Sequence, residues 1–271
     1  MMVSGRMRGY KTEGVVLRHV ASGEADRIVV LYTPEYGKLR AVAKGVRRVK
    51  SKLAGHLELL NRVSVSLAEG RSMDTVTETE TVQAYRGVRE DLERLSAAMF
   101  MAELVDGIAV EQAPSQPAYA LLTASLELLE TAERPGQAAR CFQVQMLALS
   151  GFGPELRKCV QCDAELEPRD HAFTVVGGGI ICPACRAGSQ DALVPISLNV
   201  LKVLRFFQRE PMEKAASLRL DAQLFDELER VLDGYARYVL ERDLKTTEFM
   251  DLVRSGRTTR QGRGTGAPKT T

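Results

Sequence analysis

The spacing of apolar residues changes near Tyr85, and this change constrains the fold more than any other feature of the sequence. Before Tyr85, short apolar runs alternate with polar residues and are separated by turn segments such as "SGEAD" and "EYG". After it, apolar residues recur at helical spacing, as in Leu122, Leu126 and Leu129. Alternation is typical of half-buried strands, and the longer spacing is typical of amphipathic helices. The sequence therefore predicts a β domain followed by a helical domain.

Five strands are predicted within residues 1–84. They are rich in β-branched residues, and no long helix separates them, which favours a small closed barrel or a sandwich. The predicted runs cover residues 10–21, 27–34, 38–45, 56–68 and 73–85.

Helices are predicted from residue 86 to residue 150, with breaks at "APSQP" and "RPG". Helical spacing returns after Pro195, and Ser197 and Asp221 are the residue types that favour N-cap positions. The last residues, 253–271, are polar and basic, which is typical of a disordered tail.

Composition narrows the class of protein. Of the 271 residues, 45% are hydrophobic and 27% are charged, as in soluble globular proteins. No apolar run approaches the length that spans a bilayer, and the N-terminus lacks the apolar core of a signal peptide. We therefore expect a cytoplasmic protein without a membrane partner.

Four of the five cysteines form two C-x2-C pairs, Cys159/Cys162 and Cys182/Cys185. Their separation lies within the range of zinc ribbons and related sites, and "FTVVGGGIIC" between them predicts a hairpin that brings the pairs together. Four thiolates leave no open coordination position, so we expect one structural Zn²⁺. A coincidence of motifs and a redox dithiol are the alternatives, and the dithiol lacks a βαβ context.

Seven lysines and arginines lie between residues 38 and 52, with no acidic residue among them. The formal net charge of the chain is only +2, so composition alone does not account for this basic cluster. In a five-stranded barrel, the third strand and the loop after it border the usual oligonucleotide-binding face. Either the cluster is a solvated surface loop, or it binds the phosphates of a polyanion. Its members are Lys38, Arg40, Lys44, Arg47, Arg48, Lys50 and Lys52.

No catalytic set is apparent in the sequence. It contains no P-loop, no dinucleotide-binding fingerprint and no H-E-x-x-H motif. Glu24 and Asp26 are the only candidates for a nuclease site, and they lack a third acidic partner. His171 is interpreted as a loop residue, since four sulfurs would already fill a metal site, and Cys141 as a small buried hydrophobic residue. We therefore expect a protein that is not an enzyme and has no small-molecule substrate.

The segment from Tyr10 to Leu60 resembles the amino-terminal domain of the RecO family of bacterial recombination mediators. The matching residues include Gly14, Asp26, Gly37 and Gly45. The segments "SGFGPELRKCVQC", "CPAC" and "YARYVLERDLKTTEFM" also resemble this family. Val49 departs from it, because the family commonly has proline there.

This resemblance implies an α+β protein: an OB-fold barrel followed by an all-α domain with an inserted zinc module that carries the four paired cysteines. It implies binding of single- and double-stranded DNA, strand annealing, and loading of the RecA recombinase together with RecR and the single-stranded DNA-binding protein. On DNA, such a protein is associated with the nucleoid. The alternative is a protein-docking scaffold with little affinity for DNA. The expected DNA-binding residues are Arg27, Lys38, Arg40, Lys44, Arg47, Arg48, Lys50 and Lys52.

The expected domains follow from the patterns and the resemblance together. They are an OB-fold domain at 1–84, a helical domain at 85–154 and 191–252, a zinc-binding module at 155–190 and a tail at 253–271.

Overall fold

The structure, a computed structural model, describes residues 9–254. Its N-terminal part is a closed barrel with the strand order β1-β2-β3-β5-β4, as expected for an OB-fold. The predicted barrel is thus confirmed. The strands are β1 (Gly9–Ser22), β2 (Asp26–Thr33), β3 (Gly37–Ala43), β4 (Arg62–Ala68) and β5 (Asp74–Gln83).

Strand β1 is long enough to pair with two neighbours. Its first half pairs with β4 and its second half with β2, and a β-bulge between Val16 and Arg18 lies where the pairing changes. A bulge bends a strand and increases its twist, which allows β1 to turn the corner of a small barrel. Strands β3 and β5 close the barrel through a short parallel pairing.

One wall of the barrel is buried on both faces. Val16 and Leu31 point into the barrel, whereas their neighbours Val15, Leu17 and Val30 pack into the core of the helical domain. This double burial explains why the sequence of β1 and β2 contains continuous apolar runs instead of strict alternation. It also joins the barrel firmly to the helices.

The helical domain begins with four helices, α1 (Arg86–Arg89), α2 (Leu92–Ile108), α3 (Gln116–Leu129) and α4 (Pro135–Leu149). Asp91 and Ser115 cap α2 and α3, since their side chains accept hydrogen bonds from backbone N–H groups of the first turn. Helix α2 packs against β1, α3, α4 and the last helix of the described chain.

A small sheet is inserted after α4. It contains β6 (His171–Thr174), β7 (Gly179–Ile181) and β8 (Leu193–Ile196) in the order β7-β6-β8, and the short helix α5 (Pro183–Arg186) follows β7. Strands β6 and β7 form the predicted hairpin around the glycine-rich turn. The sheet continues to Ile196, past the expected module boundary at residue 190.

The chain then returns to helices, α6 (Leu198–Arg209), α7 (Met212–Ala216), α8 (Ala222–Leu240) and α9 (Lys245–Arg254). Ser197 and Asp221 cap α6 and α8, which confirms both predicted N-caps. The predicted tail, 253–271, begins within α9, and residues 255–271 lie outside the described part of the chain. Within residues 9–254, no helix combines the length and the apolarity that crossing a membrane requires.

The helical core contains a fully buried arginine. The guanidinium of Arg140 donates hydrogen bonds to Glu229, Asp233 and Gln143 and lies 4.9 Å from the centre of the Phe100 ring. A buried charge is tolerated only when it is paired and hydrogen-bonded, and here both conditions are met. Arg140 therefore links α4 to α8 and has no access to a ligand.

Candidate nucleic-acid interface and metal centre

The segment that follows β3, residues 44–52, is named the basic loop. Of its two valines, Val46 is only 2% exposed and belongs to the barrel core, together with Leu57 further along the chain. Leu53 and Ala54 pack against the same core. The loop is therefore attached to the barrel at both ends by buried side chains.

Two hydrogen bonds donated by backbone N–H groups fix the first turn of the basic loop to residues 25 and 26, where the β1–β2 turn meets β2. The Asp26 carboxylate accepts a hydrogen bond from the Gly45 N–H at 2.7 Å, and the Ala25 carbonyl accepts one from the Arg47 N–H at 2.9 Å. Gly45 has a φ of 64°, a conformation that glycine adopts without strain. Asp26 thus acts as a support for the loop, and this role weakens its interpretation as a nuclease carboxylate.

Two histidines hold the segment between the basic loop and β4. His56 Nδ1 accepts a hydrogen bond from the Thr81 N–H on β5 at 3.1 Å. His19 Nε2 lies 2.5 Å from the Leu57 carbonyl oxygen. Burial lowers the pKa of His19, which favours the neutral imidazole that donates to this carbonyl. This contact gives His19 a structural role.

The cations of the basic loop face solvent. Among residues 9–254, no ion pair joins the loop cations to a carboxylate. Arg27 lies half-buried on β2, opposite Ala43 at the end of β3, and so at the base of the loop. The exposed loop cations are Lys44, Arg47, Arg48, Lys50 and Lys52.

Lys38 and Arg40 lie apart from the loop, at the junction of the barrel with the helices. Lys38 is only 8% exposed, and its Nζ donates to the Asp106 carbonyl oxygen at 2.7 Å. Arg40 Nε pairs with a Glu111 carboxylate oxygen at 2.7 Å. The position of Lys38 speaks against a phosphate contact by this residue, and Arg40 is already paired.

The four paired cysteines form one cluster. Their Sγ atoms all lie within 4.8 Å of one another. Cys159 and Cys162 lie on a tight turn in which the Asp163 N–H donates to the Cys159 carbonyl, and Cys182 and Cys185 lie at the start of α5. Two such turns meeting at their sulfurs form the donor set of a tetrahedral thiolate site.

The electrostatics of the cluster fit a bound cation. Burial raises the pKa of Cys159, but backbone N–H groups of Cys182, Gln161 and Cys162 outweigh it and lower this pKa to about 6. The pKa of Cys185 is raised by its sulfur contacts with Cys162 and Cys182 and by the charge of Cys159. The unfavourable charge of neighbouring thiolates is what a divalent metal ion offsets. The four cysteines therefore could hold a metal ion.

His171 takes no part in this cluster. Its Nε2 lies 2.8 Å from the Glu167 carbonyl oxygen, and its ring is buried on β6. Cys141 is buried on α4, where burial raises its pKa to about 12. Cys141 is thus buried as the sequence predicts, whereas the prediction of a loop position for His171 is wrong, because His171 begins strand β6.

Sequence reasoning missed the supports of the basic loop. In the sequence, Asp26 was a nuclease candidate and one of the residues that match the family, but no support of the loop was expected from it, and His56 had no expected role. The dipeptides that mark tight turns, such as Asn-Gly, are absent around Gly45. No local sequence pattern therefore predicts the contact between Gly45 and Asp26. Their contacts depend on closure of the barrel.

Comparison with known proteins places the chain in a family. The profile described as "Recombination protein O N terminal" matches residues 7–85, and that described as "Recombination protein O C terminal" matches residues 89–248. These ranges correspond closely to the barrel and to the helical domain with its inserted cysteine module.

Several curated relatives named "DNA repair protein RecO" align along most of the chain. That of Dehalococcoides mccartyi strain CBDB1 is 36% identical over 90% of this chain and 96% of its own length. That of Roseiflexus sp. strain RS-1 is 37% identical over 92% of this chain and 87% of its own length. That of Symbiobacterium thermophilum is 37% identical over 92% of this chain and 99% of its own length. Because these matches extend over both domains, the chain belongs to the RecO family of DNA repair proteins.

Proposed function

We propose that this protein is a DNA-binding recombination mediator that holds DNA phosphates with its basic loop. The observation that supports this function is the exposure of five cations on a loop fixed to an OB-fold barrel, none of which has a carboxylate partner within the described part of the chain. Such a surface neutralises phosphates and releases their counterions, which provides affinity without reading sequence. The contacting residues would be Arg27, Lys44, Arg47, Arg48, Lys50 and Lys52.

Annealing follows from the same chemistry. A strand held by its phosphates leaves its bases free to pair, and neutralised phosphates repel a second strand less. In this proposal the protein acts by binding, breaks no bond and is not an enzyme. With RecR it would help to load the RecA recombinase on DNA covered by the single-stranded DNA-binding protein, at the nucleoid.

The metal is the second part of the proposal. One Zn²⁺ bound by Cys159, Cys162, Cys182 and Cys185 would tie the hairpin to the segment that precedes it. A site closed by four thiolates has no position for water or substrate, so its role would be structural.

A salt titration tests the DNA-binding function. The variant Arg47→Ala/Arg48→Ala/Lys50→Ala/Lys52→Ala should bind single strands more weakly and have a shallower dependence on salt between about 50 and 200 mM. A matched control removes the same charge from exposed helical-domain positions: Arg134→Ala/Lys202→Ala/Arg219→Ala/Arg230→Ala. Equal salt slopes for the loop variant and the wild type would refute the proposed function.

Protein docking is the second candidate function. A groove between α8 and the β6–β7 turn is lined by Phe152, Val176 and Tyr238, which are 44%, 56% and 47% exposed. Exposed apolar side chains around a groove are typical of binding sites for partner segments. Retention of a partner protein by a chain without measurable DNA affinity would favour this scaffold function.

A further inference from the structure

Val49 is fully exposed, unlike the other apolar residues of the basic loop and of the segment that leads to Leu57. Val46 and Leu57 are buried, and Leu53 and Ala54 pack against the barrel core. Val49 has a relative exposure of 104%, the highest of any large hydrophobic residue among residues 9–254. Folding thus places one apolar side chain entirely in water at the tip of the loop.

The tip is held in place by short turns. The Arg48 N–H donates to the Gly45 carbonyl at 3.1 Å, and the Ser51 N–H donates to the Arg48 carbonyl at 2.9 Å. With the anchor at Val46, these bonds leave the loop little freedom to turn Val49 inward. Isolated exposed valines are common on protein surfaces. Val49 differs because its neighbours Arg48 and Lys50 are both exposed cations.

An apolar side chain between two cations is suited to a ligand that carries apolar faces beside an anionic backbone. Cations bind the phosphates of single strands and duplexes alike, whereas an apolar side chain contacts the face of a base only once that base is unstacked. A duplex hides its base faces by stacking, and a single strand exposes them. Phosphates held by Arg48 and Lys50 would bring the neighbouring bases over Val49.

We propose that Val49 is a base-contacting residue that packs against unstacked bases of single-stranded DNA. This inference rests on the proposed function, because the loop cations must first hold the strand. It adds a distinct property: affinity that depends on bases and does not depend on salt. The loop then prefers single strands to duplex, although its cations bind the phosphates of both.

The test compares Val49→Ser with the wild type on three DNA probes: a single strand, the same strand with abasic sites, and the duplex. We expect a roughly three- to tenfold loss of affinity on the single strand, the size expected for partial burial of one apolar side chain. The salt slope should stay unchanged, and the loss should vanish on the abasic strand and on the duplex.

Tryptophan supplies a second readout, since the chain contains none. Val49→Trp places a single fluorophore at the loop tip, and stacking on bases should quench it when the single strand is added but not when the abasic strand is added. Val110→Trp, at an exposed valine just after α2 in the helical domain, is the matched control.

The inference is overturned if Val49→Ser binds the single strand as the wild type does, or if it loses affinity equally on base-containing and abasic strands. Failure of the proposed function looks different: the wild type itself would have no salt slope attributable to the loop cations.

Discussion

Asp26 and Gly45 are joined by a hydrogen bond of 2.7 Å between the Asp26 carboxylate and the Gly45 backbone N–H. The contact connects the first residue of β2 to the start of the basic loop. A hydrogen bond from a backbone N–H to a carboxylate is charge-assisted and therefore strong. The position of the loop cations thus depends on an acidic residue that contacts no DNA in our proposal.

Replacing Asp26 with alanine should loosen the basic loop and weaken DNA binding. The lost hydrogen bond to a charged group is worth about 1.5–3 kcal/mol locally, and the freed loop must be ordered again when DNA binds. We expect a lower affinity for single strands, measured by fluorescence anisotropy, with an unchanged metal content. Asp26→Asn keeps an acceptor oxygen and should lose less.

Wild-type affinity in Asp26→Ala would contradict this role of Asp26. The same variants also separate binding from catalysis. Magnesium-dependent DNA cleavage that is abolished in Asp26→Asn would instead support the nuclease alternative.

Lys38 should stabilise the junction of the two domains without contributing to DNA binding. Its ammonium is buried and donates to the Asp106 carbonyl oxygen at 2.7 Å, with the Asp106 carboxylate at 3.8 Å. Lys38→Met keeps most of the side-chain volume but leaves this buried acceptor unsatisfied, at a cost of about 1–3 kcal/mol in the free energy of unfolding. Denaturant titration measures this loss, and the salt slope of DNA binding should not change. A shallower slope would return Lys38 to the set of phosphate contacts.

The contrast between Lys38 and Lys44 illustrates what the sequence could and could not predict. Both belong to one basic cluster, and charge counting treats them alike. Asp106, the partner of Lys38, lies 68 residues further along the chain, so only the packing of α2 on the barrel brings them together. Long-range pairs of this kind have no local signal, and the DNA-binding set as a whole stays a prediction.

The barrel itself was predictable because its pattern is local. Alternating residues such as Val63 and Val65 identify β4, and the cysteine spacing identifies the thiolate cluster. The start of β4 was not predictable in the same way. The predicted strand begins at residue 56, but β4 begins at Arg62. Before it, Leu57 enters the core from a turn, and Leu60 adopts a φ of 68°, which ends any extended run.

Removing the metal should unfold the cysteine module while the barrel remains folded. The buried cluster next to the sulfurs contains only Cys159, Ala172 and Ile181, so a metal would supply much of the stability of this side of the module. The opposite side of the sheet packs into the helical core through Phe173, Ile180 and Ile196. Elemental analysis of protein purified without chelator should give one zinc per chain. Chelation or Cys162→Ser should expose the hairpin to proteolysis. Cys141→Ala, at a buried cysteine outside the cluster, is the control and should keep its zinc.

A full complement of titratable thiols without any zinc would contradict the metal assignment. DNA binding by the chelated protein should keep its salt slope, because the basic loop lies on the barrel. A loss of that slope on chelation would instead connect the module to the DNA surface.

His19 should make the free energy of unfolding depend on pH in the mildly acidic range. Burial lowers the pKa of His19 in the folded protein below its ordinary value of 6.5. Unfolding therefore takes up a proton between the folded pKa and 6.5, so stability is fully present above 6.5 and is lost as the pH falls through the folded pKa. His19→Gln keeps an N–H donor for the Leu57 carbonyl and cannot titrate. Denaturant unfolding at about pH 7.5 and about pH 5.5 should show a smaller difference in His19→Gln than in the wild type, since all other titratable groups are shared. Equal differences would mean that His19 does not titrate on unfolding in this range, and that its contact with Leu57 holds the segment after the basic loop equally well at both pH values.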